Sequence, residues 1–287
     1  MKVHVPLLVL ALAAPVALLA RAPGSGDTAV GSGPTAEQGT TAKLVYGLLS
    51  DSRYAYRPRA LDDSLSADIF KRYLEALDSG KLFFTAQDVA KFAGYRTTLD
   101  DSIKDGDLNP AYAIFARYKQ RVDQRSAYAR GLLKQDIFDF SGTDRWYYDR
   151  DKAAWAADDA ALDTLWKESV RNDWLRLKLA GKKPDEIRKT LDKRYATLDS
   201  SVAELNGDDA FQSFLNAYTS AIDPHTDYFD PRTAERFNQS MSLSLEGIGA
   251  VLQKQDDVVL IREVVTGGPA ARSNKLKAGD RVVAVGQ

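Results

Sequence analysis

Cysteine is absent from the 287-residue sequence, and histidine and methionine occur twice each. Without cysteine the chain can form no disulfide and has no thiol for catalysis or metal binding. Because His4 lies close to the start, the body of the chain offers His225 alone and lacks the spaced imidazoles of a zinc site. We therefore expect no metal and no cofactor.

An excess of charge of one sign is also missing. Lys and Arg number 39, Asp and Glu number 40, and the formal net charge is -1. Binding to phosphate backbones needs a broad basic field, so we expect no nucleic-acid partner. The composition, 44% hydrophobic and 28% charged, is that of a globular chain that can bury a core without metal or disulfide support.

Long apolar runs are scarce. The one near the start extends from Leu7 to Ala20 and is interrupted by Pro15. A membrane-spanning helix needs about twenty apolar residues, so we expect no permanent membrane span. Lys2 before the run and small residues after it predict an export signal peptide at 1–22. Residues 23–41 are rich in Gly, Ser, Thr and Ala, which predicts a flexible linker.

Apolar residues recur at helical spacing between 42 and 239, which predicts a helical N-terminal domain. Asn109-Pro110 opens a long helix, and Thr85 with Asp88 suits the start of another that carries Val89, Phe92 and Leu99. No sequence period repeats between the helices, so an irregular bundle is favoured over a solenoid.

Burial or solvent exposure is predicted for two groups of charged and aromatic side chains in this domain. On the long helix that Asn109-Pro110 opens, solvent exposure is expected for Lys119, Arg121, Arg125 and Arg130. Core and interhelix packing, rather than a platform for bases or sugars, is expected for Trp146, Tyr147, Tyr148 and Trp155.

The stretch Asp223-Pro224-His225-Thr226 follows the last predicted helix. A neutral imidazole between acidic residues could act as a base. The alternative, which we favour, is a turn in which Pro224 ends the helix and Asp223 satisfies backbone amides.

From residue 240 the helical pattern gives way to apolar residues that alternate through Leu243 and Leu245 and recur from Val258 to Ile261. This pattern predicts paired strands, and a third strand is predicted at Arg281 to Val285. Between them, Pro269 to Lys275 can form two short helical turns. Before the first pair lies Gly247-Ile248-Gly249, a loop that can turn successive backbone N–H groups toward one anion. A bulge or tight turn is the simpler explanation of an isolated glycine pair.

If the loop binds an anion, an extended peptide can pair with the following strand while its terminal carboxylate is held by the loop amides. Its last, apolar side chain would lie near Leu245, Ile248 and Leu252. The candidate residues for binding a peptide C-terminus are Leu245, Gly247, Ile248, Gly249, Ala250 and Leu252.

The order of GIG loop, two strands, GGPA turn, short helix and Leu276-x-Ala278-Gly279-Asp280 resembles a PDZ domain. The resemblance implies that Gly247 to Ala250 form its carboxylate-binding loop. The helix that forms the other wall of a PDZ groove does not occur before Gln287, so we expect a partial PDZ domain at 240–287. Ile261 and Val283 are expected to lack part of their core.

Three separated motifs add a second resemblance: LDDSLSADIFKRYLEALDSGKLFF, DPHTDYF and SLEGIGAVL, in that order. They resemble the tail-specific, or carboxy-terminal processing, serine proteases exported to bacterial periplasms. The resemblance implies a helical N-terminal domain, a PDZ domain that recognises substrate C-termini, and a protease domain with a serine nucleophile and a lysine base. The expected fold is therefore mainly α, an irregular helical domain at 42–239 followed by a truncated α+β PDZ-like domain.

No catalytic residue is expected within the 287 residues, so this chain should be inactive alone. Ser273 lies near Lys275 and Lys277, but in a polar turn, and Ser242 and Ser244 are expected on a strand without a lysine partner. An alternative function is a noncatalytic periplasmic adaptor or protein-binding module, and an adaptor protein is also a candidate partner of the helical domain. A third alternative is an exported helical domain with an accidental GIG loop.

Overall fold

The computed structural model describes residues 33–55, 57–135, 138–143, 145–242, 247–255 and 258–285. The helices in these ranges are α1 Ala36–Ser50, α2 Asp63–Leu77, α3 Ala86–Lys91, α4 Leu99–Asp105, α5 Asn109–Leu133, α6 Asp159–Leu179, α7 Pro184–Ala203, α8 Gly207–Ile222, α9 Pro231–Met241 and α10 Pro269–Ser273. The strands are β1 Ala250–Gln255, β2 Val258–Val264 and β3 Arg281–Val282. This confirms the predicted mainly α fold with a small C-terminal sheet. None of the described helices is both long enough and apolar enough to cross a bilayer.

Helix α1 begins inside the segment predicted to be a flexible linker, 23–41. The Thr35 hydroxyl accepts a hydrogen bond from the Gln38 amide (3.2 Å), and the Gln38 side chain accepts one from the Thr35 amide (2.9 Å). Gln38 also donates to the Asp208 carboxylate (2.9 Å), which ties α1 to α8. Because this capping box fixes the first turn, α1 starts at Ala36 rather than after the predicted linker. The predicted signal peptide lies outside the described residues.

A first hydrophobic core lies between α1, α2, α4, α5 and α8. Its aromatic centre is Tyr73 of α2, which is fully buried and contacts Phe214 of α8 edge-to-face, with ring centroids 5.4 Å apart. The Tyr73 hydroxyl donates to the Ala111 carbonyl of α5 (3.1 Å), so its polar group is satisfied inside the core. The buried faces of α2, α5 and α8 follow the predicted apolar spacing.

A second core joins the C-terminal half of α5 to α6 and α7. Trp166 and Trp174 of α6 are buried in it, and Trp166 Nε1 donates to the Leu82 carbonyl (2.5 Å). Lys119 of α5, which was expected in solvent, is half-buried and donates to two carbonyls at the end of α7 (2.9 and 2.5 Å). Because α5 contributes to both cores, it connects the two halves of the helical bundle.

Two other side chains of α5 contradict the predicted solvent exposure: Arg121 and Arg125 are buried. Arg121 Nε donates to Asp88 Oδ2 (2.7 Å), and its Nη1 donates to Asp159. Arg125 pairs with Asp163. Helical periodicity places these arginines on the polar face of α5, opposite its buried apolar face. It does not reveal that α3 and α6 bring carboxylates against that polar face.

Asp88 is the fully buried centre of this ion-pair network. Besides Arg121, it accepts hydrogen bonds from Arg117 Nε (2.8 Å) and from the Thr85 amide (3.0 Å). Burial alone would raise the pKa of Asp88, but the hydrogen bonds from Arg121, Thr85 and Arg117 outweigh it and hold the pKa below its ordinary value. The predicted start of α3 at Thr85 is confirmed, since Thr85 and Asp88 cap each other.

The helix predicted to continue from Thr85 past residue 99 is interrupted. It ends at Lys91, a short 3-10 helix covers Ala93–Thr97, and Leu99 begins α4. Gly94 and the threonines at 97 and 98 form α-helix poorly, which accounts for the break.

The predicted aromatic cluster is divided. Trp155 is half-buried and contacts Phe84 edge-to-face (5.9 Å). Tyr147 and Tyr148 are 68% and 65% exposed, so the prediction of core packing is wrong for both. They lie in a non-helical segment, and the Tyr148 hydroxyl donates to Asn172 of α6 (3.1 Å).

The C-terminal sheet is antiparallel with the order β1-β2-β3. The predicted alternation through Leu243 and Leu245 lies outside the described residues, and β1 begins at Ala250. β3 is shorter than predicted, and Val283 beyond its end is exposed because no described residue covers it. Ile261, which was expected to lack part of its core, is only 2% exposed.

Candidate functional site: the GIG loop and the free edge of β1

The backbone of the loop before β1 requires glycine. Gly249 has a φ of +74°, in the left-handed region that residues with a side chain rarely adopt. A Cβ at Gly249 would lie 3.0 Å from Pro269 Cδ and 3.1 Å from the Gly268 Cα. The loop therefore packs directly against the turn that begins α10, and only a residue without Cβ allows that approach.

Two carbonyls of the loop are held by hydrogen bonds. The Ala270 amide donates to the Ile248 carbonyl (2.8 Å), and the Val265 amide donates to the Gly249 carbonyl (2.8 Å). In a trans peptide unit the N–H points opposite to the C=O. The N–H of Gly249 therefore points away from α10, and the N–H of Ala250 points away from the end of β2.

No acceptor within the described part of the chain takes the N–H of Gly247, Ile248 or Gly249. Ile248 is 54% exposed, so solvent and ligands can reach the loop. Successive backbone N–H groups without a partner can bind an anion such as a carboxylate when they converge on one point.

Strand β1 continues from the loop as an edge strand, because β2 is its one neighbour in the described sheet. Its other edge leaves backbone N–H and C=O groups free to pair with an added strand. Leu252, 49% exposed on β1, and the half-exposed Ile248 supply apolar surface at the loop end of this edge. The site thus combines a loop with unpaired backbone N–H groups, a free strand edge and two apolar side chains.

Five of the six predicted site residues lie together in the loop and the first half of β1: Gly247, Ile248, Gly249, Ala250 and Leu252. The sixth, Leu245, lies outside the described residues. The sequence interpretation missed the residues that hold the loop in place, Val265, Gly268, Pro269 and Ala270. The GGPA sequence was recognised as a turn, but its contact with the loop follows only from the fold. That the loop binds a carboxylate stays a prediction.

The turn containing His225 is the one predicted. The His225 amide donates to the Asp223 carboxylate (2.8 Å), and the Thr226 amide donates to the Asp223 carbonyl (3.1 Å). These contacts end α8 and fix the backbone. In the described ranges no three potential metal ligands of the His, Cys, Asp or Glu type come together.

The serines considered as nucleophiles have local contacts. Ser242 follows the last turn of α9, where its hydroxyl donates to the Gln239 carbonyl (3.0 Å), so its predicted place on a strand is wrong. Ser244 lies outside the described residues. The Ser273 hydroxyl donates to the Ala270 carbonyl (2.8 Å) at the end of α10. Both hydroxyls thus donate to a carbonyl of the preceding helical turn, a local contact that is common for serine in helices.

Comparison with known proteins agrees with this architecture. Residues 48–232 match the family model described as the tail specific protease N-terminal domain, and residues 238–287 match that of the PDZ domain. Over 233 residues the chain is 42% identical to the tail-specific protease of Haemophilus influenzae, an alignment that covers 81% of this chain and 33% of that protein. The chain thus spans about a third of the length of this relative. Because the first model matches more than half of its residues, the chain belongs to the tail-specific protease family, of which it carries the N-terminal domain and the PDZ region.

Proposed function

We propose that this chain is the substrate-recognition part of a periplasmic tail-specific serine endopeptidase, and that its GIG loop binds the C-terminus of polypeptides with apolar last residues. The observation that carries the proposal is the orientation of the Gly249 and Ala250 amides. Because their peptide carbonyls are held by Ala270 and Val265, both N–H groups are directed outward before any ligand arrives. A preorganised site loses little conformational entropy on binding.

The terminal carboxylate is the group that distinguishes a tail from an internal segment. Hydrogen bonds from backbone N–H groups to an ionised acceptor are stronger than those to a neutral one. An internal peptide unit brings no negative charge to the loop, so its carbonyl could form only the weaker hydrogen bonds of a neutral acceptor. The loop therefore favours chain ends.

The residues before the carboxylate would form an added strand on the free edge of β1. Backbone pairing supplies affinity without depending on sequence, whereas the last side chain rests against Ile248 and Leu252. An apolar last residue buries surface that is now half-exposed on both side chains, which favours apolar over charged tails.

Recognition and peptide-bond cleavage would be divided between parts of one protein. A captured tail is held at high effective concentration near a protease domain, which we place outside these 287 residues with its serine and lysine. The Haemophilus relative is named a tail-specific protease and is about three times as long as the matched region. We also propose that residues 1–22 direct export, which would place the protein in the periplasm.

The test follows the amide signals of the 15N-labelled chain by NMR while a seven-residue peptide ending in two valines is added. We expect saturable shifts at Gly249 and Ala250. A matched peptide with an amidated C-terminus should bind at least about tenfold more weakly, since it lacks the charge on which the loop hydrogen bonds depend.

Two glycine variants separate loop geometry from backbone strain. Gly249→Ala should abolish the shifts, because its Cβ would displace the loop from Pro269. Gly279→Ala is the matched control, since Gly279 also has a positive φ (+94°) but has no atom within 4 Å of the added Cβ. Equal binding of the free and amidated peptides, or undiminished binding by Gly249→Ala, would contradict the proposal.

A further inference from the structure

The orientation of a bound tail follows from the position of the loop. The loop lies at the N-terminal end of β1, so a peptide whose last residue is held there must run antiparallel to β1. Residues progressively further from the peptide C-terminus then lie beside Leu252 and, beyond it, Lys254. This step rests on the proposed binding of a C-terminus by the GIG loop.

The cross-strand register fixes which residues of β1 share a face. Leu252 pairs with Ile261 and Lys254 pairs with Val259, so Leu252 and Lys254 lie on the face that carries the buried Ile261. The pairing is irregular between Val251 and Leu252, which pair with Glu263 and Ile261, so the extra residue is Arg262 on β2. Strand β1 itself contains no extra residue, so a peptide on its free edge would pair with successive β1 residues in a regular register.

The same alternation gives the peptide position opposite Lys254. When the last residue lies beside Ala250, the residue two before it lies beside Leu252, and the residue four before it lies beside Lys254. These three peptide residues are spaced two apart, so their side chains lie on the same face of the extended sheet.

Lys254 is the one charged residue of the sequence AVLQKQ that forms β1, and it is exposed. None of the ion pairs in the described part of the chain includes it. A lysine on a free edge can simply oppose aggregation, because its charge blocks pairing with another sheet. Beside a bound peptide, the same charge favours an acidic side chain directly opposite and disfavours a basic one.

We propose that Lys254 is a specificity-determining residue that selects tails with an acidic side chain four residues before an apolar last residue. The substrate class would thus be an apolar C-terminus preceded by a carboxylate at this one position, rather than any apolar C-terminus.

The experiment compares three seven-residue peptides with identical apolar ends and Glu, Gln or Lys at the fourth residue before the last. Affinities are measured by NMR titration of the whole chain, following the amides of Gly249 and Ala250. We expect Glu to bind about two- to fivefold more tightly than Gln, and Lys to bind more weakly than Gln, as for cross-strand charge pairs. Lys254→Glu should reverse the order, and Lys254→Gln should remove the preference.

A fourth peptide carries the Glu one position further from the end, where its side chain lies on the opposite face. It should bind like the Gln peptide. Equal affinity of the first three peptides, with clear shifts at the loop, would overturn the role of Lys254 and leave tail binding intact. Absence of loop shifts with every peptide would overturn tail binding itself, and this inference with it.

Discussion

Replacing Arg121 by methionine should destabilise the helical bundle strongly. The variant keeps most of the aliphatic stem but removes the guanidinium that contacts Asp88 and Asp159. Asp88 remains fully buried with a negative charge, so the loss includes its desolvation. Breaking a buried ion pair by removing one partner costs about 3–5 kcal/mol. Because Asp88 keeps its hydrogen bond from Arg117, we expect the lower end, about 3 kcal/mol.

Arg130→Met provides the matched control on the same helix. Arg130 also pairs with an aspartate, Asp192, at 2.7 Å, but the two side chains are 43% and 46% exposed. Exposed pairs contribute about 0.2–1 kcal/mol, so this variant should be close to the parent protein. The two substitutions remove the same chemical group, and their difference measures the effect of burial.

The assay is urea unfolding at pH 7, followed by far-UV circular dichroism, which reports mainly on the helices. Arg121→Met should lower the midpoint without changing the slope with urea, and Arg130→Met should hardly move it. Adding salt should weaken the small Arg130 contribution more than the Arg121 contribution. If the two variants lose the same stability, Arg121 is not buried with Asp88 as described, and the packing of α3 against α5 is wrong.

The network and the helix contacts give two more predictions. The folded state holds the pKa of Asp88 below its ordinary value of 3.8. The ionised Asp88 therefore contributes its full stabilisation above pH 3.8, and this stabilisation is lost as pH falls through the lower folded pKa. When urea midpoints are measured at decreasing pH, Asp88→Asn should lose less stability below about pH 4 than the parent protein does. Gly39→Ala should cost about 1–3 kcal/mol, since its Cβ would lie 2.5 Å from the Gly106 carbonyl oxygen. Gly47→Ala on the same helix meets no atom and should be neutral or slightly stabilising in the same urea unfolding assay.

The sequence predicted the helices most reliably where apolar residues recur regularly and caps are explicit. The start of α3 at Thr85 and of α5 at Asn109-Pro110 depends on local hydrogen bonding and proline geometry, which neighbouring residues determine. The start of α1 was placed too late, because the Gly, Ser and Thr content around Thr35 suggested a linker and concealed its capping box.

The errors on α5 have a different origin. Arg121 and Arg125 were assigned to solvent because polar residues usually cover the outer face of an amphipathic helix. Their partners Asp159 and Asp163 are 38 residues away in the sequence, and no periodicity links them. A buried ion pair depends on the tertiary arrangement, so it could not be predicted from a single sequence.

The candidate site was predicted in part. The glycines of the loop and the apolar Ile248 and Leu252 follow from the sequence pattern and its resemblance to a PDZ domain. The outward direction of the amides does not, because it depends on hydrogen bonds from Val265 and Ala270, which the chain brings back to the loop only after forming β2.

The central claim is that a polypeptide tail binds β1 with its last residue at the GIG loop. Because the chain has no cysteine, a nitroxide can be placed selectively on a cysteine at either end of a bound peptide. With the label beside the last residue, NMR line broadening should be strongest at Gly247–Ala250. With the label on the first residue, it should move to Gln253–Gln255. The reverse pattern, or broadening confined to the helical bundle, would contradict the account.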